Sequence, residues 1–536
     1  MAPQRRTTRA PVPATCSRRR GLLFAPDGDC KSPARGGGNN TENLRMTGLH
    51  TLRCGYKSLR QLGWLLALAL SLPLLAAPAP KAKQLRAGAA TSNLTPAIGG
   101  GIIGGFHPIP STHIHDELHA RCLVLDNGEA RVAIVVCDLL GASREVYDEA
   151  RRLVTAETGL PGASLFMSST HTHSATSALG TNRFRINTPL DDYQQFVARR
   201  IADGVRRAIN NLAPARIGWA TGNEPRHVFN RRWFLKPGTM PVNPFGSTND
   251  LVKMNPARAS KDLDRPAGPT DPEVVLVSVQ SPEGRPIAVL ANYSLHYVGG
   301  VGNGHISADY YGMFCDRLQQ LLGADRQRPA FVAMLANGTS GNINNIDFTK
   351  PAERMASYEK MRVVADDVAA VAFKALQGVK HHDWVPLGGQ LRELELGTRR
   401  PTPEQISRAR EVLGRPRTLP RPATLEEIYA ERTLGMAEYP ARLAIPIQAL
   451  RVGDVGITGI PCETFVETGL ELKARNPFKP SFTHSIANGY YGYLPTPEHH
   501  RLGGYETWLG TNRLEEQAST KIVTALLEML GSLKGK

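Results

Sequence analysis

The chain has 536 residues, 41% of them hydrophobic, and carries 64 Lys and Arg against 48 Asp and Glu, a formal net charge of +16. Such a length supports a large core and predicts two or more domains. The charge excludes less than it suggests: residues 1–84 hold 14 basic and 3 acidic side chains, and the other 452 hold 50 and 45, so no nucleic-acid partner is expected. No period of 20–50 residues recurs, which sets solenoids aside.

Residues 1–45 are rich in Arg, Pro, Gly and Ser and read as disordered, or as a misassigned start. Met46 then opens a segment with a positive region (Arg53, Lys57, Arg60). An apolar run, "GWLLALALSLPLLAA", and small residues follow. This layout, over 46–79, predicts a secretory signal cleaved near 77–79 and hence an exported protein. Cys122, Cys137, Cys315 and Cys462 fall after it. No CxxC pair occurs, so a thiolate zinc site is not expected, and Cys137 reads as a buried free thiol.

Along the mature chain, "RVAIVVCDLL" (131–140), "ASLFMSS" (163–169), "EVVLVSVQ" (273–280), "PIAVLANYS" (286–294), "PAFVAMLA" (329–336) and "VGITGI" (455–460) read as strands. They are apolar throughout, the mark of a sheet covered on both faces. Segments 143–158, 191–212, 358–377 and the C-terminal stretch carry apolar residues at helical spacing. Strands alternating with helices predict an α/β fold, a mixed sheet core covered by helices. Residues 399–445 differ. Thr402, Pro403 and Gln405, then Thr424 and Glu427, read as two capped helices forming a surface insertion.

Four apolar runs end in polar clusters: "THTHS" (170–174), "LHYVGG" with His296, "NGTSGNINNID" (337–347) and "CETF" with Glu463. Sites in α/β folds form outside the carboxyl ends of strands, so the four together point to one shared site. His171 and His173 stand two apart, which in an extended segment aims both side chains at one cavity. They are either a polar turn or one wall of a metal site. His296 reads as a structural histidine or a ligand, and Glu463 as a helix-start residue or a ligand. Two His and one Glu make the three-ligand set of hydrolytic zinc, leaving a position for water. The 337–345 loop is either an Asn/Gly turn or a source of backbone N–H groups for an oxyanion.

These pieces resemble the neutral/alkaline non-lysosomal ceramidases, specifically their N-terminal catalytic domain, over residues 85–536. "THTHS", "FNRRW" (229–233), "NYSLHYVGG" (292–300), "ISADYYG" (306–312), "GIPCE" (459–463) and "NGYYGYLPTPE…GGYE" (488–506) carry the resemblance, in order. The resemblance implies one zinc ion held by His171, His296, Glu463 and a tyrosine, Tyr490 with Tyr493 in reserve. It also implies that His173 positions the oxyanion and that Arg231, with Arg232 as the other register, positions substrate. Two departures stand out. The family's nucleophile loop is matched by "GNINN" (341–345), with Asn342 in place of Asp and Asn344 in place of the serine, while Ser340 lies nearby. The chain also ends without the C-terminal immunoglobulin-like domain expected of the family.

The expectation is therefore an exported zinc-dependent hydrolase of an N-acyl amide or related ester. Its substrate would be a lipid-like or other N-acyl small molecule, with contact at a membrane surface. Zinc brings the pKa of a water down to about 7, so water can attack the carbonyl with no covalent intermediate. Two alternatives stand beside it: a serine-nucleophile variant using Ser340, and an exported binding protein on the same scaffold without turnover.

Overall fold

The continuous apolar runs end up as strands buried from both sides. In Arg131–Cys137, Val132, Ile134 and Val136 face one core while Ala133, Val135 and Cys137 face another. A strand sandwiched in this way has no polar face, hence its unbroken hydrophobicity. The computed structural model describes residues 83–535, apart from 181, 183 and 417–423. The expected disordered stretch and signal segment lie outside the described residues, as does most of the linker between the two capped helices. The described residues fall in one compact unit.

The main strands, in chain order, are β1 (Arg86–Asn93), β2 (His119–Asp126), β3 (Arg131–Cys137) and β4 (Leu165–Ser169). Next come β5 (Arg216–Asn223), β6 (Glu273–Gln280), β7 (Pro286–Tyr293) and β8 (Val332–Asn337). The last four are β9 (Leu387–Gly397), β10 (Arg442–Val452), β11 (Val455–Ile460) and β12 (Ser481–Ser485). They form three sheets, ordered β4-β3-β2-β1 (extended by the short Ala213–Pro214), β8-β7-β6-β5 and β12-β11-β10-β9.

The three sheets share one topology. Three strands run antiparallel, and a fourth returns parallel beside the third. A parallel return needs a crossover. The crossovers are α1 (Arg144–Thr158), α3 (Asp309–Leu321) and α7 (Val466–Arg475). A further helix follows each fourth strand: α2 (Asp192–Asn210), α4 (Glu359–Leu376) and α8 (Ala518–Lys534). The chain is thus a β-β-β-α-β-α unit built three times. The inner faces of all three sheets meet in one core, which Ile134, Phe166, Leu290, Met334, Leu450 and Phe482 help to fill. Helices cover each outer face.

In every unit the connection from the first strand to the second is long. In the third it holds α5 (Pro403–Gly414) and α6 (Leu425–Glu438), each started by a capping box, on Thr402 with Gln405 and on Thr424 with Glu427. The two pack together through Ala409, Val412 and Ala430, and β10 resumes at Arg442. First, third and fourth strands of a unit all point the same way, so nine strand ends and three long connections gather at one end of the molecule. Cys122, Cys137, Cys315 and Cys462 are buried free thiols. Among the described residues no helix is long and apolar enough to cross a membrane.

Candidate metal centre

Each sheet delivers one group to a common point. From the first, the chain leaves β4 at Ser169 and turns at His171, whose φ of +70° lies in the left-handed region. The turn is held by the His171 N–H donating to Leu139 O (2.9 Å) and by the Thr172 hydroxyl donating to Ser307 O (2.8 Å). Sequence reasoning expected His171 and His173 to converge through extended backbone. They do converge, with Nε2 atoms 3.1 Å apart, but through a left-handed turn. From the second sheet, His296 follows β7. From the third, Glu463 follows β11 through Pro461 and Cys462. Helix α7 begins only at Val466, with Phe465 as N-cap, so Glu463 caps nothing.

The protonation pattern of the pair of imidazoles is set by backbone. His171 Nδ1 bonds Leu140 O at 2.6 Å and His296 Nδ1 bonds Ser340 O at 3.0 Å. A carbonyl can only accept, so both Nδ1 atoms carry hydrogen and a neutral ring keeps its lone pair on Nε2. Glu463 Oε1 accepts the Tyr490 hydroxyl at 2.6 Å. That leaves Oε2, at 3.3 Å from His171 Nε2 and 3.8 Å from His296 Nε2. Neither Glu463 Oε2 nor His296 Nε2 has a hydrogen-bond partner among the described residues, and all three side chains are buried. Two imidazole lone pairs and a carboxylate oxygen, packed together out of water, repel unless a positive charge sits among them. A proton on one imidazole would serve, and so would a divalent cation. The donor set, N, N and O from His, His and Glu, fits zinc.

Electrostatics favour the ligating forms. Burial, the nearby Arg231 guanidinium and His171 push the His296 imidazole well below its ordinary range. Burial alone would raise the Glu463 carboxyl, but His171 and His296 hold it well below the usual carboxylate range. His173 is also depressed, by burial and by His171 and His296. Its Nδ1 has no partner at hydrogen-bond geometry among the described residues, though the Gly104 backbone lies against the ring and favours its protonated form. Instead His173 stacks on Tyr297, ring centroids 3.6 Å apart. Three imidazole nitrogens from His171, His173 and His296 lie within 4.8 Å of one another. His171 and His296 each have a short Nδ1 bond to a backbone carbonyl, whereas His173 is set by its stack on Tyr297.

The other expected residues separate clearly. Arg231 and Arg232 grip the two oxygens of Glu506, at 2.9 and 2.7 Å. Burial works against the Arg231 charge, but Tyr493, Glu506 and Glu463 hold its pKa above the ordinary value. Its Nη2 has no hydrogen-bond partner among the described residues. Arg232 bonds Gly503 O (2.7 Å) and lies over the Phe465 ring, a structural placement. Tyr490 reaches Glu463 directly, whereas Tyr493 lies under Arg231, 5.3 Å from its ring centroid, and beside Glu463 in a short parallel pairing.

In the 337–345 loop the expected residues each hold a partner within the fold. The Ser340 hydroxyl donates to Asn337 Oδ1 at 2.8 Å, and only its carbonyl meets the centre, through His296. Asn344 donates to Asn255 Oδ1 at 2.8 Å. Asn342 donates to Glu467 and accepts from Val466 N, while its carbonyl accepts from Arg231 N. The loop is a clamp seating His296, Arg231 and α7. Gly341 allows it: a Cβ there would stand 2.5 Å from Glu463 O. Sequence reasoning missed Glu506 and Tyr297. Glu506 stood in the quoted "GGYE", but only the structure pairs it with two buried arginines.

No family model matches the sequence, and no curated protein matches it. Among solved structures, the chain is similar to the neutral ceramidase from Pseudomonas aeruginosa, with a TM-score of 0.62 and 18% identity over 84% of this chain and 75% of that one. It is similar also to a ceramidase complexed with C2, with a TM-score of 0.63 and 17% identity over 84% of this chain and 76% of that one. At such identity the likeness shows the fold: this chain has a ceramidase-like α/β fold.

Proposed function

We propose that this protein is a zinc-dependent hydrolase of an N-acyl amide or related acyl ester, as the resemblance to ceramidases implies. One observation carries the reading. Three sheets of a ceramidase-like fold each send one group, His171, His296 and Glu463, to a point where Nε2, Nε2 and Oε2 lie together, and neither His296 Nε2 nor Glu463 Oε2 has a hydrogen-bond partner among the described residues. These three would hold the metal, with Tyr490 bonded to Glu463 beside them. Bound there, zinc would acidify water and polarise an acyl carbonyl.

The chain's own groups do the rest. The Leu140 and Ser340 carbonyls fix both imidazoles, and Tyr490 fixes the carboxylate. His173, half-buried beside His171, offers a ring nitrogen to the oxygen that gains charge as the carbonyl becomes tetrahedral. Arg231 supplies fixed positive charge at that oxygen, its Nη2 free to donate. Ser340, its hydroxyl bonded to Asn337, is not needed as a nucleophile. Ile98, Phe106 and Ile109 are exposed on the Gly-rich 94–118 connection, whose Gly104 packs on His173. They support delivery of a lipid-like substrate from a membrane surface. Export through the 46–79 segment belongs to the same proposal, and N-terminal sequencing of secreted protein tests it.

The test of function is a screen of N-acyl amines and acyl esters with the purified protein, before and after chelation and after zinc is restored. Hydrolysis lost with the metal and regained with it is expected, and His173→Gln should keep the metal while kcat falls about 100-fold or more. Zinc bound with no turnover on any acyl substrate would favour a binding protein instead.

A further inference from the structure

His171, His296 and Glu463 are each steered by a hydrogen bond at an atom that the centre does not use, to Leu140 O, to Ser340 O and from the Tyr490 hydroxyl. His173 has no such bond. The torsion that turns an imidazole about its Cβ–Cγ bond is soft, so another contact must fix the plane of this ring. That contact is the half-buried Tyr297, whose ring lies 3.6 Å away, centroid to centroid, and 12° from parallel. A face-on contact touches neither ring nitrogen. It fixes the plane and leaves His173 Nε2, 3.1 Å from His171 Nε2, directed at the centre.

The backbone that carries Tyr297 is itself pinned. Asp309, the first residue of α3, is fully buried. Its carboxylate accepts the N–H groups of Val298 at 3.0 Å, Gly299 at 2.9 Å and Tyr310 at 2.7 Å. It does so with a φ of +58°, a left-handed conformation that a residue with a side chain keeps only where its surroundings hold it. Gly299, with a φ of +74°, packs against the Tyr297 ring, and a Cβ there would stand 3.2 Å from Tyr297 Cε2. The Asn345 amide adds long contacts to Tyr297 O at 3.5 Å and Val298 O at 3.4 Å. The segment leaving β7 thus supplies His296 to the donor set and, one residue on, braces an imidazole that comes from the first sheet. Resting on the hydrolase reading above, we infer that Tyr297 is a positioning residue. Its ring, held in place by Asp309, sets the direction of the His173 nitrogen that meets the acyl oxygen.

Two readouts test this, one of them independent of turnover. The first is the His173 Cε1–H resonance in protein labelled at histidine, identified by its loss in His173→Gln. A stacked ring shields that proton, so Tyr297→Leu should shift it downfield and Tyr297→Phe should bring it back. Asp309→Asn turns an amide nitrogen toward at least one of three backbone N–H groups and should shift the same resonance. The second readout is hydrolysis of p-nitrophenyl laurate, a chromogenic acyl ester. Tyr297→Leu should lower kcat about tenfold or more with KM and zinc content unchanged, since a misdirected group loses transition-state contact and not binding. Tyr297→Phe should restore kcat. Added to His173→Gln, Tyr297→Leu should cost nothing further, because the ring acts through His173. A kcat that ignores Tyr297→Leu overturns the inference and leaves the Gly104 backbone, which lies against the same imidazole, to set it. A loss that persists in the His173→Gln background, or that comes with lost zinc, overturns it too. A resonance that moves as expected in a protein without turnover leaves Tyr297 as the brace and sinks the hydrolase reading.

Discussion

At the scale of single residues, the site is organised by which atom is already spent. Ser340 shows this best, since its carbonyl supports His296 while its hydroxyl is bonded to Asn337. Ser340→Ala should therefore leave turnover within a few-fold of wild type in a steady-state assay. A loss of about 100-fold or more, the scale of a removed catalytic group, would restore a serine nucleophile. His484 shows another kind of spending. It is fully buried among Phe166 and Phe482, with Nδ1 on the Ser168 hydroxyl, and burial pushes its pKa down from 6.5 to about 3. The folded state keeps it neutral while an unfolded chain protonates it below 6.5. Its contribution is thus intact above pH 6.5 and is lost as pH falls toward 3, at up to about 1.4 kcal/mol per pH unit. Denaturant midpoints of wild type and His484→Leu, compared from pH 7 to 4, should show the shallower acid decline in the variant. Parallel curves would contradict the assignment.

At the scale of elements, the third strands, the fourth strands β4 and β8 and the second strand β6 were legible, and β12, β5 and β9 were not. β3, β4, β7, β8 and β11 are buried on both faces and read as unbroken apolar runs. β9, "LGGQLRELELG", is mostly half-buried, and β5, "RIGWATGN", carries two glycines and a partly exposed end. Neither has a continuous pattern to read. The capped helices in the third unit were legible because a capping box is a local signal. The role of Asn342 was not, because it is set by distant partners. That residue joins the loop to Val466, Glu467 and Arg231 from a fully buried position. Asn342→Ala strands the Val466 N–H and should cost about 1–3 kcal/mol in chemical denaturation. A change under about 0.5 kcal/mol would mean that the loop is seated by other contacts.

At the scale of the whole molecule, the threefold arrangement explains why side chains so far apart in sequence meet. Parallel third and fourth strands put paired carboxyl ends on one side of each sheet, and the shared core brings those sides together. None of this shows as a sequence period, because a β-β-β-α-β-α unit is long and the connection between its first two strands differs in each copy. What could be read was the kind of residue waiting at the strand ends; it left the roles of His296 and Glu463 open, and the resemblance to ceramidases singled them out with His171. Their support from Leu140 and Ser340, backbone carbonyls with no residue-type signature, could not be read. The most direct measurement is the metal itself: zinc content of purified wild type and Glu463→Gln, with anomalous diffraction at the zinc edge to locate it. One zinc per chain among His171, His296 and Glu463, lost in the variant, is expected. A metal-free wild type supplied with zinc, or a zinc bound elsewhere, would contradict the centre on which the proposed chemistry depends.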